Sequence, residues 1–136
     1  LTEMGWRVNP FPLIWHKSDN IGILPDAQRG PRRIYETAFF ASRGDRLVVQ
    51  SVSNVFSAPG RGKEIHMNEK PVEMLRHFQR MFVDEYSTVL DPTCGSGNAL
   101  KAAESLRASS VLGLEINPEF YTRAKEAYYE PDLLSL

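Results

Sequence analysis

The chain has 136 residues, 42% of them hydrophobic and 24% charged, which allows one modest domain with a single core. No apolar run approaches the ~20 residues a membrane span needs, no signal peptide precedes the first structured stretch, and a lone cysteine, Cys94, excludes an internal disulfide, so a soluble protein of the reducing cytoplasm is expected. A formal net charge of −1 argues against bulk electrostatic binding to nucleic acid, but residues 1–63 balance to +4 and residues 64–136 to −5, which assigns any polyanion contact to the first half.

In chain order, Leu13-Ile14-Trp15 reads as a short strand. Residues 19–33 hold Gly22, Pro25, Gly30 and Pro31 and read as a loop carrying Arg29, Arg32 and Arg33, a set suited to phosphate contacts. Tyr35 to Ala41 and Leu47 to Val55 are expected to form two strands of an antiparallel hairpin around Ser42-Arg43-Gly44-Asp45. Residues 57–64 are expected to be a flexible connector.

The second half is more regular. Pro71 stands at a helix start, and Met74, Leu75, Phe78, Met81 and Phe82 follow at helical spacing until Asp84-Glu85. Thr88-Val89-Leu90 is expected to be a buried strand, Asn98 to Arg107 a helix with Leu100, Ala103 and Leu106 on one side, and Val111 to Leu114 a second buried strand ending at Glu115. Asn117-Pro118 pairs a capping residue with a proline at the first helical position, so a third helix starts there, with Phe120, Tyr121, Ala124 and Tyr128 as its apolar face. This order implies a parallel βαβ unit with a right-handed crossover.

The turn Asp91-Pro92-Thr93-Cys94-Gly95-Ser96-Gly97 lies between the first of these strands and its helix. Glycines there let the backbone approach a ligand, and the carboxyl end of a parallel strand is where α/β sheets bind small molecules. Glu115 ends the next strand, where a carboxylate can accept both hydroxyls of a ribose. Asp91 ahead of the glycines would repel a pyrophosphate and suits a cation, which favours S-adenosylmethionine over a dinucleotide. Cys94 has no activating neighbour in sequence and reads as a small filler. Trp6 and Trp15 read as core, and His16, His66 and His77 lack metal-ligand spacing, so no metal is expected.

Asp91 to Gly97 resembles the D-P-F-x-G-x-G cofactor motif of DNA methyltransferases that modify exocyclic amino groups. His66-Met67-Asn68-Glu69-Lys70-Pro71 resembles the H-x-x-x-K-P segment of their β-type members, and Gly113 to Glu119 resembles their G-I-E-I-N-P-E strand end. Leu13 to Lys17 is similar to their L-I-W-x-K strand, and Tyr35 to Phe40 to their H-E-x-x-L-F segment. The resemblance, closest to bacterial or phage adenine enzymes, implies an α/β, Rossmann-like S-adenosylmethionine-dependent methyltransferase fold with a mostly parallel sheet, one domain over residues 1–136. Residues 1–63 would belong to its catalytic and DNA-facing half and 64–136 to its cofactor half. It assigns Asp91, Pro92, Thr93, Cys94, Gly95, Ser96 and Gly97 to the methionine end of the cofactor, Glu115 to the ribose and Ile116 to the adenine, with Asn117, His66, Asn68, Lys70 and Pro71 nearby. The expected partner is double-stranded DNA, and adenine N6 is favoured over cytosine N4.

One element of the family is missing. Its catalytic tetrapeptide (Asp, Asn or Ser, then two prolines and an aromatic) holds the target amino group and stacks on the extruded base. Asn9-Pro10-Phe11-Pro12 transposes the last two residues and lies too close to the Leu13 strand to be that motif. No catalytic residue is therefore expected in this chain, and alone it should not transfer methyl. The family's catalytic strand lies between the Val89-Leu90 strand and the Leu13-Trp15 strand, so its absence should leave two unpaired inner edges. The chain begins at Leu1 rather than Met, which fits a longer enzyme that supplies this strand; a homodimer or a partner chain are the other sources. The alternatives are a non-catalytic cofactor-binding or assembly subunit and an inactive remnant.

Overall fold

A computed structural model describes residues 2–24, 26–60 and 69–129. Its second half alternates strand and helix: β6 (Thr88–Asp91), α2 (Asn98–Ser105), β7 (Ser110–Gly113) and α3 (Pro118–Tyr129). β6 and β7 pair in parallel, with Thr88 opposite Ser110 and Asp91 opposite Gly113, as the expected βαβ unit requires. Small residues let α2 come close, since Ala102 and Ala103 are fully buried beside Leu100. The Lys101 ammonium donates to the Ala127 carbonyl and ties α2 to α3. Asn117 caps α3 as its position implied, its Oδ1 accepting the amides of Glu119 and Phe120.

These strands were expected to be buried, and they are covered on one face only. Val89 and Val111 are half-buried while Leu90, Leu112 and Leu114 remain exposed, because no described element lies over their face of the sheet. Tyr121 also departs from its expected apolar face and is half exposed.

The first half obeys longer-range rules. β1 (Arg7–Val8) pairs antiparallel with β4 (Ala41–Ser42). β2 (Leu13–Lys17) is the centre of a three-stranded sheet, with β3 (Tyr35–Ala38) antiparallel on one side and β5 (Val55–Ala58) parallel on the other. Among the described strands, two of the four pairings are thus parallel. The expected hairpin does not form. Tyr35–Ala38 finds its partner in β2, and the Arg7 guanidinium holds the Gly44 carbonyl beside the β1–β4 pair. Leu47, Val48 and Val49 stay exposed, and the Val49 amide donates to the Met81 carbonyl instead of to a hairpin partner. Nor are residues 57–64 all connector, since Ser57 and Ala58 complete β5.

α1 (Val72–Gln79) joins the halves. Pro71 stands just outside it as the capping residue, and the helix stops before Met81 and Phe82. Met81 is still buried, whereas Phe82 leaves the stripe and stacks on Phe40 with centroids 5.8 Å apart. Trp15, Met74, Phe78 and Met81 form the central cluster, with Leu13, Val52, Phe56, Ala58 and Leu75 packed around it. On its other side α1 meets α2, where the Gln79 amide donates to the Ala99 carbonyl. A second tie fixes the turn before β6: Arg46 donates to Asp84 Oδ2 at 2.8 Å and to Ser87 Oγ at 3.0 Å. The hydrogen bond from Ser87, helped by Arg46 and the Tyr86 amide, holds the Asp84 carboxyl below its ordinary range against the opposing effect of burial.

The unpaired edges also differ from expectation. β2 is flanked on both sides, by β3 and β5; among the described strands it alone is paired on both sides, and β5 and β6 are among those that pair on one side only.

Candidate functional site

The glycine-rich turn is built by its own backbone. β6 ends at Asp91, whose carboxylate accepts the Thr93 amide at 3.0 Å while its carbonyl accepts the Leu114 amide at 2.9 Å. The Cys94 amide returns a bond to the Leu114 carbonyl at 2.9 Å, so the turn is stitched to the end of β7. Gly95 and Gly97 have φ of 51° and 77°, the left-handed region where a side chain would be strained. Gly97 then starts α2 by accepting the amides of Leu100 and Lys101.

Glu115 completes this frame. Its Oε2 accepts the Gly95 amide at 3.1 Å and its Oε1 accepts the Asn117 amide at 2.8 Å. Each carboxylate oxygen keeps a further lone pair for a ligand hydroxyl. Glu115 is therefore both a possible acceptor and a clamp across the turn.

A cleft of about 440 Å³ opens here, lined by the turn, by Glu115 and by the segment before α1. Of the residues proposed from sequence, the structure brings together Lys70, Asp91, Thr93, Cys94, Gly95, Ser96 and Glu115 around it. Gly97 lines a second cavity between α2, β7 and α3, Pro92 is exposed, Pro71 caps α1 and Asn117 caps α3. Ile116 is wholly exposed, free to lie on a flat ligand. His66 and Asn68 lie outside the described residues.

Sequence reasoning missed Glu69, Leu75, Asn98 and Ala99, which also line the cleft. Asn98 opens α2, and its amide donates to Glu69 Oε1 at 2.8 Å and to the Lys70 carbonyl at 2.9 Å, locking the approach to α1 against the turn. A polar residue immediately after the second glycine was the available signal. The lining carries three carboxylates, Glu69, Asp91 and Glu115, against one ammonium, that of Lys70. Lys70 is moreover turned onto Glu36 Oε2 at 2.7 Å. Burial, then the charges of Asp91 and Glu115, push the Cys94 thiol up, which keeps it protonated and unsuited to nucleophilic work.

The remaining candidates lie elsewhere. Arg29, Arg32 and Arg33 are exposed on their loop; Arg29 makes a long contact with Asp26 (3.6 Å), and Arg32 donates to the Gly22 carbonyl. Asn9 and Phe11 line a third cavity with Leu13 and Met81, at the far end of β2 from Lys17, and Asn9 Oδ1 accepts the Phe11 amide in a local turn. Trp15 is core, as read from sequence, with its indole N–H donating to the Ala58 carbonyl. Among the described residues no three His, Cys, Asp or Glu side chains converge as metal ligands, and no helix is long and apolar enough to cross a membrane.

Comparison with known proteins agrees with this architecture. The N6/N4 DNA methylase family model matches residues 49–126. The solved structure of M1.HpyAVI in complex with SAM superposes with a TM-score of 0.77 at 21% identity, over 96% of this chain and 66% of that one. TTHA0409 from Thermus thermophilus, complexed with S-adenosyl-L-methionine, gives 0.68 at 22% identity, over 93% of this chain and 55% of that one. The cytosine-N4-specific PvuII DNA methyltransferase gives 0.70 at 13% identity, over 90% and 51% respectively. The chain thus spans roughly half to two thirds of the length of these structures. No curated protein sequence matches it. The likenesses establish a Rossmann-like methyltransferase fold carried by an α/β chain with a partial sheet. With the family match covering more than half of its residues, the chain belongs to the N6/N4 family of DNA methylases.

Proposed function

We propose that this chain is the cofactor-binding part of an enzyme that transfers methyl from S-adenosylmethionine to an exocyclic amino group of a base in double-stranded DNA. The observation that carries this reading is the cleft at the ends of β6 and β7, where Asp91, Glu115 and Glu69 surround a glycine turn and favour a cationic ligand without phosphate. Asp91 to Gly97 would hold the methionine end, Glu115 the ribose hydroxyls and Ile116 the adenine, with the Lys70-Pro71 segment placing the start of α1 beside the methionine end. His66 and Asn68 are retained as cofactor residues on resemblance alone. Two of the structural neighbours were solved with the same cofactor, which supports the assignment. Adenine N6 is the favoured target because the motifs most resemble those of adenine enzymes. Arg29, Arg32 and Arg33 would contact the phosphate backbone, and bacterial or phage restriction-modification in a cytoplasm is the setting the resemblance favours.

Residues 1–63 would form the catalytic and DNA-facing half and 64–136 the cofactor half. The chain lacks the catalytic tetrapeptide, so turnover requires a segment from the rest of the enzyme, a second copy or a partner chain. The one-sided edges of β5 and β6 and the uncovered Leu90, Leu112 and Leu114 favour such an addition and support the second reading, an assembly subunit completed by another chain.

Calorimetry with S-adenosylhomocysteine tests the site. Glu115→Ala should weaken binding about tenfold or more, since a charged acceptor for two hydroxyls is lost, and Glu115→Gln should lose less. Binding to wild type that neither variant changes would remove Glu115 from the site. A radiolabel transfer assay on this chain alone should show no DNA methylation, and robust turnover would overturn the account of the missing tetrapeptide.

A further inference from the structure

The cleft has an unusual neighbour. Lys17 is buried on β2, and its ammonium lies 2.7 Å from Glu36 Oε1 on β3. Lys70, on the segment before α1, lies 2.7 Å from Glu36 Oε2. Both ammonium groups also sit over the Trp15 ring, at 5.0 and 5.8 Å from its centroid. One carboxylate from the first half therefore holds two lysines, and only one of these, Lys70, lines the cleft.

S-adenosylmethionine carries one net positive charge at neutral pH, from a sulfonium and an ammonium against a carboxylate. Its demethylated product, the thioether S-adenosylhomocysteine, is a neutral zwitterion. An unpaired Lys70 ammonium at the cleft would repel the first more than the second. It would also be free to turn onto Glu69, Asp91 or Glu115 and cancel the field that a cation needs. Glu36 removes both problems by engaging Lys70 from outside the cleft, while Lys17 holds its other oxygen.

We propose that Glu36 is a positioning residue of the cofactor cleft, holding the Lys70 ammonium outward so that the site selects the cationic cofactor over its neutral thioether product. The inference rests on the cofactor reading above. It also opposes the simpler expectation that Lys70 grips the cofactor directly.

Titration calorimetry of the 136-residue chain with each ligand, at low and high salt, provides the test. Glu36→Gln should weaken S-adenosylmethionine about fivefold more than S-adenosylhomocysteine, the size expected for one uncompensated charge at the rim of a solvated cleft. The gap should shrink in about 0.5 M salt. Adding Lys70→Met to that variant should restore the wild-type ratio, because the unpaired charge beside the cleft is gone. A purely structural role would lower both affinities together, and equal losses in Glu36→Gln overturn the proposal. Circular dichroism establishes whether that variant is folded. If it is not, Lys70→Met alone decides: neither ligand should weaken by more than about twofold, since Lys70 does not touch the cofactor and the Lys17–Glu36 pair that remains is neutral. A large loss of both ligands there would mean that Lys70 grips the cofactor, and the proposal fails. Wild type that binds neither ligand brings down the cofactor reading and this inference with it, whereas wild type that binds both separates the two.

Discussion

The two halves of the molecule solve the same problem in opposite ways. From β6 to α3 each element packs on its neighbours in sequence, so a strand, a tight turn and a helix define one another within about forty residues. From β1 to β5 the partners are distant: β1 pairs with β4, and β2 sits between β3 and β5. Local closure lets the first kind of structure be stitched by its own backbone, as the Asp91, Cys94 and Leu114 bonds do. The second kind depends on what comes to lie across it. Its central strand is covered by α1, which arrives from the other side of the chain. The cleft at the glycine turn is thus locally built, while its electrostatic surroundings, through Glu36 and Lys17, are supplied from afar.

The largest expected effect attacks the distant packing. Trp15→Ala removes the centre of the Trp15–Met74–Phe78–Met81 cluster and should cost about 3–5 kcal/mol, a large share of the stability of a small domain. Urea denaturation measures it. A cost under about 1 kcal/mol would mean that the first half does not rely on α1 as described.

Next is a position in the locally built half. A methyl at Gly113 would stand 2.5 Å from Leu100 Cδ1 and 2.8 Å from Cys94 Sγ, which is overlap. Gly113→Ala should therefore cost about 1–3 kcal/mol, and Cys94→Ala should relieve part of it by making room. Thermal melts of the two single variants and the double variant read this coupling. Strict additivity would argue that β7 and the glycine turn are not packed together as the geometry has them.

The smallest effect concerns the link between the halves. Burial raises the Glu36 pKa, but hydrogen bonds and charges from Lys17 and Lys70 outweigh it and hold the carboxyl below its usual value. A depressed folded pKa means that Glu36 stabilises the fold above its unfolded pKa and loses this contribution as pH falls through the folded one. The urea midpoint of wild type should therefore drop more between pH 6 and pH 3 than that of Glu36→Gln, by a modest margin because the carboxylate is 31% exposed. Parallel curves would show that the lysines contribute nothing to stability through this group.

Much of the second half was legible in the sequence because its signals are local. Gly95 and Gly97 take up the positive φ that glycines permit, Asn117 caps α3, and Glu115 reaches the turn because it lies two residues past the end of the adjacent parallel strand. The same reading failed where the answer lay outside the window. Tyr35–Ala38 and Leu47–Val55 have strand-like composition, yet only the presence of β2 decided that the first pairs there and that the second enters a strand only at Val55, the start of β5. Leu90 and Leu112 read as core, and their exposure follows from which face α2 and α3 cover. Asn98 and Glu69 were invisible as a pair, being 29 positions apart.

The sequence by itself determined the βαβ unit, the glycine turn, the helix caps and the acidic character of the cleft, since each rests on backbone geometry or charge within a few residues. Tertiary structure alone decided which strands pair in the first half, which sheet edges stay open, and that Lys70 pairs with Glu36 beside the Trp15 ring. Those outcomes depend on long-range burial and on which partner satisfies a given hydrogen bond or charge, and a linear pattern does not encode either.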